Sequence, residues 1–211
     1  MNYKLIVFDM DGVIFHGTNF WTRVHEAFGT LEQGKVLTKK YLHTDYAKLV
    51  EEVVNKLWKG RDATPYFNLI QSLTYMDGIQ DLFKVIKNKD LITMIISASS
   101  IDVARRAQKD LGFDHIFANE LVIQNNKITG EFLWPIAAGF EKKVEIIEHM
   151  CQDLGINLDE VIYIGDAEPD IEAFKIVGKS IAFNSKVKEL KNVATHVVES
   201  NDLRDVIPLI E

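Results

Sequence analysis

Leu5-Ile6-Val7-Phe8 is an unbroken apolar run that ends abruptly in Asp9-Met10-Asp11-Gly12. A run this short, rich in Ile, Val and Phe, predicts a strand buried on both faces. Beyond Gly12 the apolar positions change period. Phe20, Val24 and Phe28 recur at helical spacing up to a stop at Gly29. Tyr46, Leu49, Val50, Val53, Val54, Leu57 and Trp58 then trace one long amphipathic stripe. Tyr66, Leu69, Ile70 and Leu73 repeat it after Pro65, a natural first-turn residue. Gly34, Gly60 and the Thr64-Pro65 step punctuate these segments. The stretch 16–76 therefore predicts a small helical unit inserted after the first strand.

From residue 78 onward helices and strands alternate, the signature of a parallel sheet. A helix over about 79–88 precedes the strand Ile92-Thr93-Met94-Ile95-Ile96, and another follows Ser99 and Ser100, either of which can cap it. Leu121 to Gly130 predicts a hairpin turning at Asn125-Asn126. A helix over about 141–154 leads to the strand Val161-Ile162-Tyr163-Ile164. Pro169 opens a further helix carrying Ile171, Phe174 and Val177, and short strands near 180–183 and 195–198 complete the sheet. The expected architecture is α/β: residues 1–15 and 77–211 as a Rossmann-like parallel sheet flanked by helices, with 16–76 as the inserted helical domain.

Composition narrows the possible partners. The 211 residues are 47% hydrophobic and carry a net charge of −7, so nonspecific binding to nucleic acid or anionic lipid is disfavoured. Cys151 is the single cysteine; it falls on an apolar helical stripe, which predicts core packing and rules out an internal disulfide. Asp9 cuts the N-terminal apolar run too early for a signal peptide, and no stretch approaches ~20 apolar residues. A soluble, cytoplasmic protein is the expectation.

Four polar clusters fall at the ends of predicted core elements: Asp9 with Asp11, Ser97, Lys143, and Asp166 with Asp170. Adjacent parallel strands would bring them to one sheet edge, where open α/β sheets bind ligands. Metal-binding carboxylates, a hydroxyl and a cation are a sufficient set for phosphoryl transfer, in which positioning and charge neutralisation dominate. Lys143 shares its helical side with Ile147, Met150 and Leu154, whereas Lys142 shares a wetter side with His149 and Asp153. Lys143 is thus the lysine expected to point inward.

These residues, as Asp9-Met10-Asp11-Gly12-Val13, the strand ending at Ser97, Lys143, and Gly165-Asp166-Ala167-Glu168-Pro169-Asp170, resemble the four ordered motifs of the haloacid dehalogenase superfamily. The stretches 119–132 and 155–182 are similar to its phosphoserine phosphatase branch, as are the place and size of the insertion, which would be a cap domain. The resemblance implies a phosphomonoesterase acting on a small phosphorylated metabolite. Asp9 would be the nucleophile, giving an aspartyl-phosphate, and Asp11 the general acid and base. Mg²⁺ would be held by Asp9, the Asp11 carbonyl and Asp166. Ser97 and Lys143 would meet the phosphoryl group, Gly12, Ala98 and Ser99 would contact substrate, and Asp170 would support Lys143 or the metal.

Other outcomes share these residues. A phosphotransferase or phosphomutase of the same superfamily uses the same core, and a non-catalytic phospho-accepting regulatory protein uses a similar acidic cluster. A receiver domain, however, carries its phosphorylated aspartate after the third strand. Two features depart from the phosphoserine phosphatase pattern. Pro169 stands where such enzymes usually carry Asn, and Thr18 stands where a cap glutamate would hold the substrate amine. Arg23 and Arg61 are the candidates for a carboxylate-binding arginine, and Trp21, Trp58, His16, His25 and His43 are candidate pocket residues otherwise read as packing or surface. Without the amine-binding group, phosphoserine is not expected to be the preferred substrate.

Overall fold

A computed structural model describes residues 2–17 and 19–210; Thr18, the position aligned with the cap glutamate, lies outside the described residues. The chain opens with β1 (Leu5–Phe8), then α1 (Phe20–Ala27), α2 (Leu31–Tyr41), α3 (Tyr46–Val50) and α4 (Thr64–Ser72). Next come α5 (Ile79–Asn88), β2 (Ile92–Ser100), α6 (Ile101–Leu111), β3 (His115–Gln124), β4 (Lys127–Leu133) and α7 (Phe140–Leu154). The chain finishes with β5 (Val161–Gly165), α8 (Ile171–Ile176), β6 (Lys179–Phe183), α9 (Lys188–Val193), β7 (His196–Val198) and α10 (Ile207–Ile210).

The strands form one sheet in the order β4-β3-β2-β1-β5-β6-β7, parallel except for β4, which returns antiparallel from β3. β1 sits in its middle, and all four of its side chains are fully buried. Each contributes roughly 1.5–3 kcal/mol relative to exposure. Alternation assigns them to opposite faces. Ile6 and Phe8 pack with α5, α6 and the inserted helices. Leu5 and Val7 pack with α7, α8 and α9. Cys151 belongs to the second of these layers, as a buried side chain of α7.

The inserted helices attach to the sheet through backbone. Gly60 and Ala63 donate to the carbonyls of Ile128 and Asn126, and Ile128 donates to Arg61, so the loop before α4 extends the β4 edge. Trp58 lies at the centre of the insertion, its ring 4.6 Å from that of His25 and 5.7 Å from that of Phe28.

Several expected boundaries shift. β2 continues past Ile96 through the serines to Ser100, with an irregularity against β3 between Ser97 and Ser100. The long stripe from Tyr46 is α3 followed by a wider π-type stretch over Glu51–Trp58, closed by Lys59 N–H donating to the Val54 carbonyl. Pro169 opens a single 3-10 turn, Glu168–Asp170, and α8 then ends before Val177. Gly34 does not break a helix but lies inside α2, because a Cβ there would meet three His25 ring atoms at 2.6 Å.

Candidate active site

β1 is paired with β2 on one side and β5 on the other, with Phe8 opposite both Ile95 and Ile164. The chain leads outward in opposite directions from this central strand, so a crevice opens beyond its C-terminal end. The ladder runs one step further: Asp9 N–H donates to the Ile164 carbonyl at 2.9 Å. Ser97 lies two residues past Ile95 and Asp166 two past Ile164, so register alone carries them to the same edge as Asp9. A chamber of about 320 Å³ sits there, lined by Asp9, Asp11, Ser97, Ser99, Lys143 and Asp166 among others.

Lys143 reaches this chamber from the first turn of α7, with only 2% of its side chain exposed. Its ammonium donates to Asp9 Oδ1 at 2.7 Å and to Asp170 Oδ1 at 2.6 Å. Burial alone would discharge it, but the carboxylates of Asp170 and Asp9 outweigh that cost and hold it well above the ordinary lysine range. Lys142 instead pairs with Glu145 on the outer face.

Asp170 is fully buried, so its role is not the helix-end charge that a first-turn carboxylate usually supplies. Its Oδ1 accepts from Lys143 and from the Tyr163 hydroxyl at 2.9 Å. Its Oδ2 accepts from the backbone N–H of Asp166 and of Ala167, both at 3.1 Å. One carboxylate thereby fixes the lysine and the turn that presents Asp166. Sequence reasoning missed Tyr163; the available signal was a phenol within an apolar strand, whose hydroxyl needs a partner when buried.

Asp11 reaches the chamber from the loop after β1, and its Oδ2 accepts from the Phe20 N–H at the start of α1 at 2.9 Å. Burial raises its pKa, opposed by that amide, by the Ser99 hydroxyl, which lies close without meeting hydrogen-bond geometry, and by the charges of Lys143 and Arg23. Gly12 holds φ +85° and leaves no room for a side chain, since a Cβ would sit 2.4 Å from Asp166 Oδ2. Ser97 Oγ accepts from the Ser99 N–H at 3.2 Å, which fixes the turn leaving the sheet. Ala98 also lines the chamber, and its carbonyl accepts from Trp21 Nε1 of α1 at 2.9 Å and from Asn119 Nδ2 at 2.9 Å. Asn119, fully buried, also bonds Ile136 N–H and the Ala137 carbonyl, tying the loop before α7 to the end of β2. Its only sequence signal was an amide in a strand-forming run.

Two buried side-chain polar atoms among the described residues lack any hydrogen-bond partner, Ser99 Oγ and Asp166 Oδ1. Both residues line the same chamber. Folded proteins rarely leave such groups unsatisfied, so these two atoms mark where a polar ligand or cation would fit. Carboxylate oxygens of Asp9, Asp166 and Asp170 lie within 4.8 Å of one another. Burial pushes Asp9 up to about 7 despite Lys143, and burial with the charges of Asp9 and Asp170 pushes Asp166 up to about 8. Asp170 is already saturated, which leaves Asp9 and Asp166 as donors. A hard divalent cation with oxygen ligands fits this set and would relieve the repulsion.

Of the remaining candidates, only Trp21 lines the chamber itself. Arg61 donates to the carbonyls of Leu57 and Phe28. Arg23 lines a small space of about 10 Å³ with His16, Gly17 and Asp11, and its charge acts on the Asp11 carboxyl. His43 is exposed and meets the ring of Phe140 at 5.5 Å. His25 and Trp58 lie deeper in the insertion.

Comparison with known proteins agrees with this geometry. The family model of haloacid dehalogenase-like hydrolases matches residues 6–175. The chain is 29% identical over 210 residues to phosphoserine phosphatase of Methanocaldococcus jannaschii, covering 99% of this chain and 98% of that protein. It is 27% identical to phosphoserine phosphatase of Wolinella succinogenes, covering 97% and 98%. A solved structure described as a phospho-aspartyl intermediate analogue of phosphoserine phosphatase superposes with a TM-score of 0.85 at 27% identity, covering all of both chains. With the sheet order, the converged acidic edge and a family match over most of its length, the chain belongs to the haloacid dehalogenase-like hydrolases.

Proposed function

We propose that the protein is a Mg²⁺-dependent phosphatase that hydrolyses a small phosphomonoester through an aspartyl-phosphate on Asp9, with residues 16–76 acting as a cap. The observation that carries this reading is the pair of unsatisfied buried atoms, Ser99 Oγ and Asp166 Oδ1, on one chamber with Asp9 and Lys143. A hydroxyl donor, a cation-seeking carboxylate and an ammonium are what a tetrahedral oxyanion and its counter-ion require. The names of the relatives, phosphoserine phosphatases, support the same reaction class.

Asp9 and Asp166 would hold the divalent ion, together with the Asp11 carbonyl. When bound, that ion neutralises phosphoryl charge. An oxygen of Asp9 attacks phosphorus as the bond from phosphorus to the substrate alcohol breaks, and Asp11 delivers its proton to the departing oxygen. Burial raises the Asp11 pKa above the ordinary carboxylate value, which favours the acid form that this step uses. Asp11 then takes a proton from water as the water attacks the same phosphorus, the bond to Asp9 breaks, and inorganic phosphate leaves. Ser97, Ser99, Ala98 and Gly12 surround the phosphoryl oxygens. Lys143, held by Asp170 and through it by Tyr163, supplies fixed positive charge.

Hydrolysis of an artificial aryl phosphate tests this. Turnover is expected with Mg²⁺, is abolished by EDTA, and falls on the order of 10³-fold or more in Asp9→Asn. Stable self-phosphorylation from a small phosphodonor, without turnover, would overturn the hydrolase in favour of a phospho-accepting regulator.

A further inference from the structure

A second cavity of about 110 Å³ inside the helical insertion adjoins the chamber at the sheet edge, sharing Asn19, Trp21, Leu42 and Tyr46 as lining residues. Val50, Val53, Val54, Trp58 and Phe132 supply its deeper walls. From this adjacency we infer that the substrate's alcohol portion is an uncharged alkyl or aryl group seated in the inner cavity; the inference rests on the phosphatase reading and deepens it.

Charge argues for this as much as shape does. An amino-acid phosphate would bring an ammonium and a carboxylate into the space, and each would need an opposite charge there. None of the twelve residues lining the inner cavity is Asp, Glu, Lys or Arg. Its titratable members are His25 and Tyr46. The His25 Nδ1 is engaged with Thr30 Oγ1 at 2.8 Å, and burial keeps the ring neutral at physiological pH. Arg61 is bound to backbone carbonyls, and Arg23 lines a small space that shares Asp11 with the outer chamber, not the inner cavity. In the outer chamber the one lysine is already held between two carboxylates. A charged alcohol seated in the inner cavity would be desolvated with no opposite charge on its lining, whereas an apolar one gains burial at about 25 cal/mol per Å².

Size sets the group. Apolar cavities of about 150 Å³ take up benzene, so 110 Å³ suits a branched short alkyl chain, or an aryl ring lying partly in the mouth between Trp21 and Tyr46. The Trp21 indole is pinned by its bond to the Ala98 carbonyl and makes edge contact with Phe132 at 5.2 Å. The mouth is therefore a fixed aromatic wall set beside the phosphate position.

The test compares kcat/KM for 3-methylbutyl, benzyl and methyl phosphate with that for phosphoserine, all with alkoxide leaving groups, using the full chain with Mg²⁺. The apolar esters are expected to exceed phosphoserine at least tenfold. In Val54→Leu, which narrows the inner cavity, the 3-methylbutyl to methyl ratio should fall at least fivefold while the fold, followed by thermal melting, persists. Phosphoserine matching or exceeding the apolar esters would overturn the inference and leave the phosphatase reading standing. So would a ratio unmoved by Val54→Leu in a folded variant. Turnover of none of these esters would overturn the phosphatase reading, and the inference with it.

Discussion

Lys143 shows how much one side chain carries. It joins α7 to β1 through Asp9 and to the turn before α8 through Asp170. Breaking a buried ion pair by removing one partner leaves uncompensated charge and costs on the order of 3 kcal/mol. Lys143→Met, which keeps most of the volume, is therefore expected to lower Tm by about 6–12 °C and to abolish turnover; calorimetry and the aryl phosphate assay check the two effects separately. His25 makes the opposite point, a titratable group kept uncharged. Burial lowers its pKa from 6.5 to about 4, so between those values the unfolded chain binds more protons than the folded one. Stability should then rise with pH through that window and be fully present above it. Denaturant unfolding at pH 4.5 and 7 should show a loss on acidification that is smaller in His25→Asn.

At the scale of elements, local propensity and packing conflict inside α2. Glycine in a helix interior costs about 1 kcal/mol relative to alanine, so Gly34→Ala should stabilise the helix taken alone. In the fold the added methyl would meet the His25 ring at 2.6 Å. That ring cannot move aside easily, being bound to Thr30 and packed on Trp58, whose Nε1 donates to the same Thr30 hydroxyl at 3.2 Å. Overpacking costs of about 1–3 kcal/mol outweigh the propensity gain. Gly34→Ala is expected to lower the midpoint of denaturant unfolding; a raised midpoint would show that the ring yields. The same reasoning explains why Gly34 looked like a break in the sequence: local preference says nothing of a ring supplied by α1.

For the whole molecule, the proposed metal site would couple stability to both metal and proton. Burial pushes Asp9 and Asp166 up to about 7 and 8, so without a cation the pair holds part of a proton load near pH 7. Metal binding must displace those protons, so affinity for Mg²⁺ should fall as pH drops from 8 to 6. At a metal concentration of 100 times Kd the fold gains about 2.7 kcal/mol, a Tm rise of about 5–11 °C. Asp166→Asn should lose most of that rise, and titration calorimetry in two buffers would read the released protons. Among the described residues no helix is long and apolar enough to cross a membrane.

Much of this was legible in the chain because burial and period are local properties. The run Leu5–Phe8 could only be a central strand, the alternation after residue 78 fixed a parallel sheet, and the hydrophobic side of α7 selected Lys143 over Lys142. What no local pattern carries is the identity of a distant partner. Asp170 read as a helix-end charge until folding placed Lys143, Tyr163 and two backbone amides around it. Likewise the stripe from Tyr46 to Trp58 announced an apolar face, but only packing against α1 and β4 left a cavity along that face, beside the chamber at the acidic edge. Sequence determines which side chains seek burial; tertiary structure decides what they meet there, because a cavity or an ion pair belongs to several segments at once.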